Sequence, residues 1–158
     1  MSPDKVVIMA AQQSHSKKIV LSAEQEERLS QRLRSAQLRL TRQRVLLAHL
    51  LFRDGNRHVT ADGLYEEARM VGLSISQATI YNTLNQFLEA GLLREVIVDS
   101  HRSYFDTNLG DHHHFYVEET GQLIDVPHDA IQLTQIPSAP SGFDVAGVDV
   151  VLRLSVAK

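Results

Sequence analysis

The stretch SQATIYNTLNQFLEAGLLREVIVDSHRSYFD, Ser76 to Asp106, decides the fold. Its first half is helical by period. Ser76 is a capping residue type, Ile80, Leu84, Phe87 and Leu88 recur at i, i+4, i+7 and i+8, and Gly91 ends the pattern. The opposite side carries Gln77, Thr79, Asn82 and, nearer the edge, Tyr81. Short polar side chains beside a ring can reach base edges and thymine methyl groups when a helix lies in the major groove. The second half holds two β-rich runs around the turn-like DSHR, which predicts a hairpin. Helices followed by such a wing predict a winged helix-turn-helix.

Upstream, three further helices are expected. Ser22 caps SAEQEERLSQRLRSA, with Glu24, Glu26 and Glu27 in the favourable first turns. Leu38 to Leu40 makes a short break. Thr41 caps TRQRVLLAHLLFRDG, closed by Gly55, and Thr60 caps TADGLYEEARMVG, stopped by Gly72. Residues 1–22 show no clear period and read as a flexible arm.

Downstream, HHHFYVEETGQLIDV predicts a second hairpin turning at EETG. Side chains alternate faces along a strand, so His112 and His114 point one way and His113 the other. Asp106 ends the preceding strand, Asp125 ends the returning one, and His58 stands just before the third helix. Val148, Val150, Leu152, Leu154 and Val156 alternate and predict a last strand with one buried face.

Composition sets limits. The 158 residues are 43% hydrophobic, with no apolar run near the roughly 20 residues of a membrane-spanning helix. The start lacks the arrangement of a secretory signal, so a cytoplasmic protein is expected. Cysteine is absent, which excludes disulfides, thiolate zinc sites and cysteine nucleophiles. Any metal must be held by nitrogen and oxygen. The overall charge of −3 is uneven: residues 1–102 carry 14 Lys and Arg against 11 Asp and Glu, residues 103–158 only 2 against 8. A basic half suits a polyanion, and an acidic half suits cations.

LRLTRQRVLLAHLL, HVTADGLYEEA, ISQATIYNTLNQFLEAGLL and FDTNLGDHHH, in that order, resemble the ferric uptake regulator family across residues 28–156. The resemblance implies an α+β chain: a winged-helix DNA-binding domain over 23–102, then a small α/β dimerisation and metal- or haem-sensing domain over 103–158. It puts Tyr81 and Asn82 at major-groove positions, Arg39 at a minor-groove position and Arg44 at a phosphate contact. It carries over His58, Asp106, His112, His114 and Asp125 as the ligands of a sensory site. Such a mixed N/O set suits Fe, Mn or Zn, and affinity order alone does not choose among them. One ligand, His58, would come from the DNA-binding domain and four from beyond the wing, so that a bound metal fixes their relative orientation.

Departures from the family pattern matter too. Val117 and Thr120 stand where many members have a cysteine pair, so no structural zinc held by four cysteines is expected. Some 55 residues make a small second core, which calls for burial in a homodimer or higher oligomer. His113 and Asp111 face a second site whose usual partners are here Gln132 and Val148, neither a strong ligand. Three consecutive histidines without cysteines are similar to the iron response regulators of α-proteobacteria, which implies haem as an effector at His112, His113 and His114, though the Cys-Pro haem motif is missing. His15, His49, His101 and His128 read as surface or locally hydrogen-bonded. The expected function is a DNA-binding regulator of iron and haem homeostasis acting on operator DNA. Its nearest rival is a manganese-, zinc- or peroxide-sensing regulator of the same fold. A metal hydrolase is disfavoured, since H-x-H strands of that kind usually sit on barrels of roughly 250 residues.

Overall fold

Four helices begin where a side-chain oxygen meets a free backbone donor. The computed structural model describes residues 19–157. In α1, Ala23–Ser35, Ser22 Oγ accepts from the Gln25 amide and the Gln25 side chain accepts from the Ser22 amide, a reciprocal cap. Thr41, Thr60 and Ser76 cap α2 (Arg42–Phe52), α3 (Ala61–Met70) and α4 (Gln77–Glu89). Gly72 and Gly91 follow α3 and α4 with φ of 75° and 70°, the left-handed turn that glycine adopts without steric cost. After Gly91 the Leu92 amide reaches back to the Phe87 carbonyl at 2.8 Å and ends the helix. α2 stops at Phe52, short of Gly55.

The helices enclose the larger core. Leu33, Leu47, Leu50, Leu51, Leu64, Ile80, Leu84 and Phe87 are fully buried there. Leu88 is only half-buried, while Thr83 turns inward with Ile80, Leu84 and Phe87. Ile19 and Leu21 pack on this core and Ser22 caps α1, so the expected arm does not reach as far as 22. The rest of that expected arm, residues 1–18, lies outside the described residues, as does His15.

Two three-stranded sheets follow. The first, in the order β1-β3-β2, is antiparallel and comprises β1 (His58–Val59), β2 (Arg94–Asp99) and β3 (Arg102–Asp106). The division expected between 102 and 103 therefore runs into β3, which pairs with the wing. The second, in the order β5-β4-β6, comprises β4 (His112–Val117), β5 (Gln122–Pro127) and β6 (Val151–Leu154). β4 pairs antiparallel with β5 and parallel with β6, and the chain between β5 and β6 makes the long return that parallel strands require. That return contains the 3-10 turn His128–Ala130 and then no regular element up to β6. Pro137 and Pro140, with Gly142 and Gly147, leave no uninterrupted helical run in its middle. The whole is α+β, as expected, with its α-helices in the first half.

A small second core joins the sheets: Val96, Val98 and Tyr104 of the wing pack with Tyr116 and Leu123, backed by Val151. Tyr104 donates to the Gly121 carbonyl at 2.6 Å, and Arg102 donates to the Tyr116 hydroxyl at 2.8 Å. β6 is shorter than the alternation of its sequence suggested, and its packed residue is Val151. Leu152 and Leu154, expected on a buried face, turn outward with Ile124, and each is more than a third exposed in the single chain. Register explains the difference: Leu152 lies beside Phe115 and Leu154 beside Val117, on the side of β4 away from the wing.

Candidate metal centre

Strand pairing assembles the site. His58 lies opposite Asp106 in the β1–β3 register, and His114 lies opposite Asp125 in the β4–β5 register. His112, two residues from His114, shares its face. The two cross-strand pairs meet at the seam between the sheets, and one donor atom from each of the five residues lies within 4.8 Å of all the others. Two of the five come from the first sheet, not one as the sequence suggested, because Asp106 ends a wing strand.

Asp106 is the hub. Its Oδ2 lies 2.8 Å from His112 Nε2, 3.2 Å from His114 Nε2 and 3.5 Å from His58 Nε2. Asp125 Oδ1 lies 2.9 Å from His58 Nε2 and 3.4 Å from His112 Nε2. Asp106 and His114 are fully buried, and His112 nearly so. Burial pushes the Asp106 carboxyl upward. The nearby His114 and His58 imidazoles and the hydrogen bond from the Asn108 amide outweigh it and hold the group well below the ordinary carboxylate range.

The donors are turned toward one another. His112 Nδ1 lies 2.6 Å from the Gly110 carbonyl, which can only accept, so that nitrogen carries the proton. In the tautomer with its single proton there, His112 aims its Nε2 lone pair at the Asp106 oxygen 2.8 Å away. Two lone pairs at that distance need a proton or a cation between them. His58 Nε2 and Asp125 Oδ1 are buried and have no hydrogen-bond partner. The residues thus fit a divalent ion: three imidazole nitrogens and two carboxylate oxygens converge on one point. Such a donor set suits Fe(II), Mn(II) and Zn(II).

His113 faces the other way. Its Nδ1 accepts from the Val150 amide at 3.3 Å, its Nε2 is buried without a partner, and its ring lies 5.3 Å from that of His128. Both rings line an open cavity of about 820 Å³ with Leu109, Asp111, Ile131 and Val148. The structure therefore parts the expected haem trio: His112 and His114 belong to the seam and His113 to the cavity side. His128 is exposed, and its ring lies tilted by 36° to that of His113. His101 meets Ser100 Oγ at 2.9 Å, and burial lowers the pKa of His49.

On α4, Gln77, Tyr81 and Asn82 are exposed, Tyr81 by 55%. Thr79 is half-buried and its hydroxyl meets Ser76 Oγ at 2.9 Å, so it serves the cap. Arg39 is exposed. Arg44 is not a free cation: its guanidinium donates to the Arg39 carbonyl at 2.6 Å and to the Gln86 side chain of α4. It braces α4. Sequence reading also missed Asn108, which donates from its side chain to Asp125 Oδ2 at 2.7 Å and from its backbone to Asp106 Oδ1 at 2.8 Å. The signal was available in part, since Asp-x-Asn commonly forms such a turn.

Comparison with known proteins fixes the class. The Ferric uptake regulator family model matches residues 35–153, and the chain belongs to that family. The protein is thus a transcription regulator rather than an enzyme. The peroxide-responsive repressor PerR of Staphylococcus epidermidis is 32% identical over 114 residues, 72% of this chain and 75% of that protein. A ferric uptake regulator from Pseudomonas aeruginosa, solved with manganese, is 25% identical with a TM-score of 0.60, over 82% of this chain and 98% of that one. The Vibrio cholerae ferric uptake regulator, 23% identical with a TM-score of 0.64 over 80% of this chain and 98% of that one, shares the fold. Among the described residues no helix is long and apolar enough to cross a membrane.

Proposed function

We propose that this protein is a dimeric, metal-responsive regulator that grips operator DNA with α4 and the wing, and that His58, Asp106, His112, His114 and Asp125 hold its effector ion. The observation that carries this reading is the meeting of three imidazoles and two carboxylates from two sheets at one seam. A divalent ion bound there supplies the positive charge that the lone pairs of these five residues lack. His58 and Asp106 then tie β1 and β3 to β4 and β5. The wing and α4 keep one orientation to the second sheet, and in a two-fold dimer that orientation sets the spacing of the two recognition helices against the half-sites. The division between the DNA-binding and dimerisation units falls at 107–111, where the chain changes sheets. Gln77, Tyr81 and Asn82 read bases, Arg39 enters the minor groove, and Arg44 holds α4 in place. The exposed Ile124, Leu152 and Leu154 face a second copy of the chain.

One observation favours a narrower second reading. The curated relatives at 32% identity are named peroxide-responsive repressors, so an iron-loaded form would sense peroxide by oxidation of His58 or His112. The reading as a haem-responsive regulator of iron homeostasis rests on His113 alone, whose unpartnered Nε2 and neighbouring cavity offer an axial ligand.

Fluorescence anisotropy separates them, using duplex selected from the source genome and protein loaded with Mn(II) or Fe(II). Release by chelator supports the metal reading. Release by peroxide from the iron form only, with one oxygen added to His58 or His112, selects the second. Release at one haem per subunit, abolished in His113→Ala, selects the third. Binding that ignores chelator sinks the proposal.

A further inference from the structure

Asn108 touches the surroundings of three of the five donors. Its backbone amide donates to Asp106 Oδ1 at 2.8 Å. Its side-chain Nδ2 donates to Asp125 Oδ2 at 2.7 Å. Its Oδ1 accepts from the Gly110 amide at 3.1 Å, and the Gly110 carbonyl in turn receives His112 Nδ1 at 2.6 Å. Arg94 donates to the same carbonyl at 3.0 Å. The turn is tight: a Cβ at Gly110 would lie 3.3 Å from Asn108 Oδ1.

The consequence is one of orientation. Each carboxylate has one oxygen tied by Asn108 and the other, Asp106 Oδ2 or Asp125 Oδ1, facing the imidazoles. Asp106 is also confined by complete burial. Asp125 is not: its side chain is 34% exposed, and Asn108 holds its second oxygen by a 2.7 Å hydrogen bond. Freed, Asp125 could present both oxygens to an ion or swing into solvent.

We propose that Asn108 is a positioning and specificity-determining residue: it restricts Asp125 to one-oxygen ligation and fixes the His112 ring, and so sets the preference of the site among divalent ions. The inference rests on the metal reading above. A site held to few donors suits Zn(II), whereas oxygen-rich, higher coordination suits Mn(II). Loss of the lock therefore costs Zn(II) more than Mn(II). Partners of this kind typically govern 10–100-fold in metal affinity.

The test compares the full chain with Asn108→Ala and Asn108→Asp. Asn108→Asp keeps the backbone bond and the Gly110 contact but replaces the donor facing Asp125 with a like charge. Competition titrations give Zn(II) and Mn(II) affinities, and Co(II) absorption reports coordination. Wild-type protein should bind Co(II) with a spectrum that His114→Ala removes. In both Asn108 variants Zn(II) affinity should fall about 10–100-fold, Mn(II) affinity less, and the Co(II) bands should change. Unchanged affinities overturn the proposal. So does equal loss of both metals with an unchanged Co(II) spectrum, or a lowered melting temperature in chelator as the sole effect. If wild-type protein shows no Co(II) spectrum dependent on His114, the metal reading falls and takes this one with it.

Discussion

Replacing His58 by alanine removes the donor through which the short strand β1 reaches the seam. The side chain is 12% exposed, and its Nε2 approaches Asp125 Oδ1 at 2.9 Å without an aligned hydrogen bond. In chelator the variant should therefore unfold within about 1 kcal/mol of wild type, since no well-made hydrogen bond is lost. With metal the two should separate. Metal at 100 times its dissociation constant stabilises the folded state by about 2.7 kcal/mol. Outer partners of ligands already govern 10–100-fold in affinity, so loss of a ligand itself should cost at least about 100-fold. The same metal concentration then only equals the variant's dissociation constant and contributes about 0.4 kcal/mol. The lost increment of about 2.3 kcal/mol corresponds to roughly 5–9 °C for a chain of this size. Differential scanning calorimetry with and without Zn(II) measures it. A His58→Ala protein that gains as much melting temperature from metal as wild type would refute the assignment of His58 to the centre.

Other perturbations separate packing from contact. Phe87→Ala should destabilise by about 3–5 kcal/mol, because the ring is fully buried beneath α4, while Tyr81→Ala should leave the denaturant midpoint unchanged and weaken operator binding. Arg44→Ala should lower stability and operator affinity together while the salt dependence of binding stays unchanged; a slope shallower by about one unit would mean a phosphate contact after all. Leu152→Glu should shift the chain toward monomer in sedimentation velocity, since Leu152 lies on an exposed apolar sheet face. Asp106, held below its usual range, stabilises the metal-free fold above about pH 3.9 and loses that contribution as pH falls. Asp106→Asn should thus show a shallower fall of melting temperature on acidification.

The local grammar of the chain was open to reading. Ser22, Thr41, Thr60 and Ser76 all cap helices, because a cap depends on residues three apart. The alternation that parts His113 from His112 and His114 follows from strand geometry alone. What escaped depends on contacts across long separations. Arg44 is spent on Gln86, which is far along the chain, and no pattern near Arg44 announces it. The outward turn of Leu152 and Leu154 depends on the register of β6 against β4. Alternation reveals two faces but not which one the wing will cover. Asp106 looked like part of the second unit until its pairing with His58 and Arg94 assigned it to the first sheet.

The central claim is that an ion at the seam and DNA at α4 bind one orientation of the chain. Linkage makes it reciprocal: if metal raises DNA affinity by some factor, DNA raises metal affinity by the same factor, commonly about 5–150-fold or about 1–3 kcal/mol. The most direct measurement is therefore the Mn(II) affinity of the protein by calorimetry, with and without saturating operator duplex. Tighter Mn(II) binding on DNA, lost in Asp125→Ala, is the predicted result. Equal affinity in both conditions would mean that the seam binds metal without informing the DNA-binding unit, and would contradict the account.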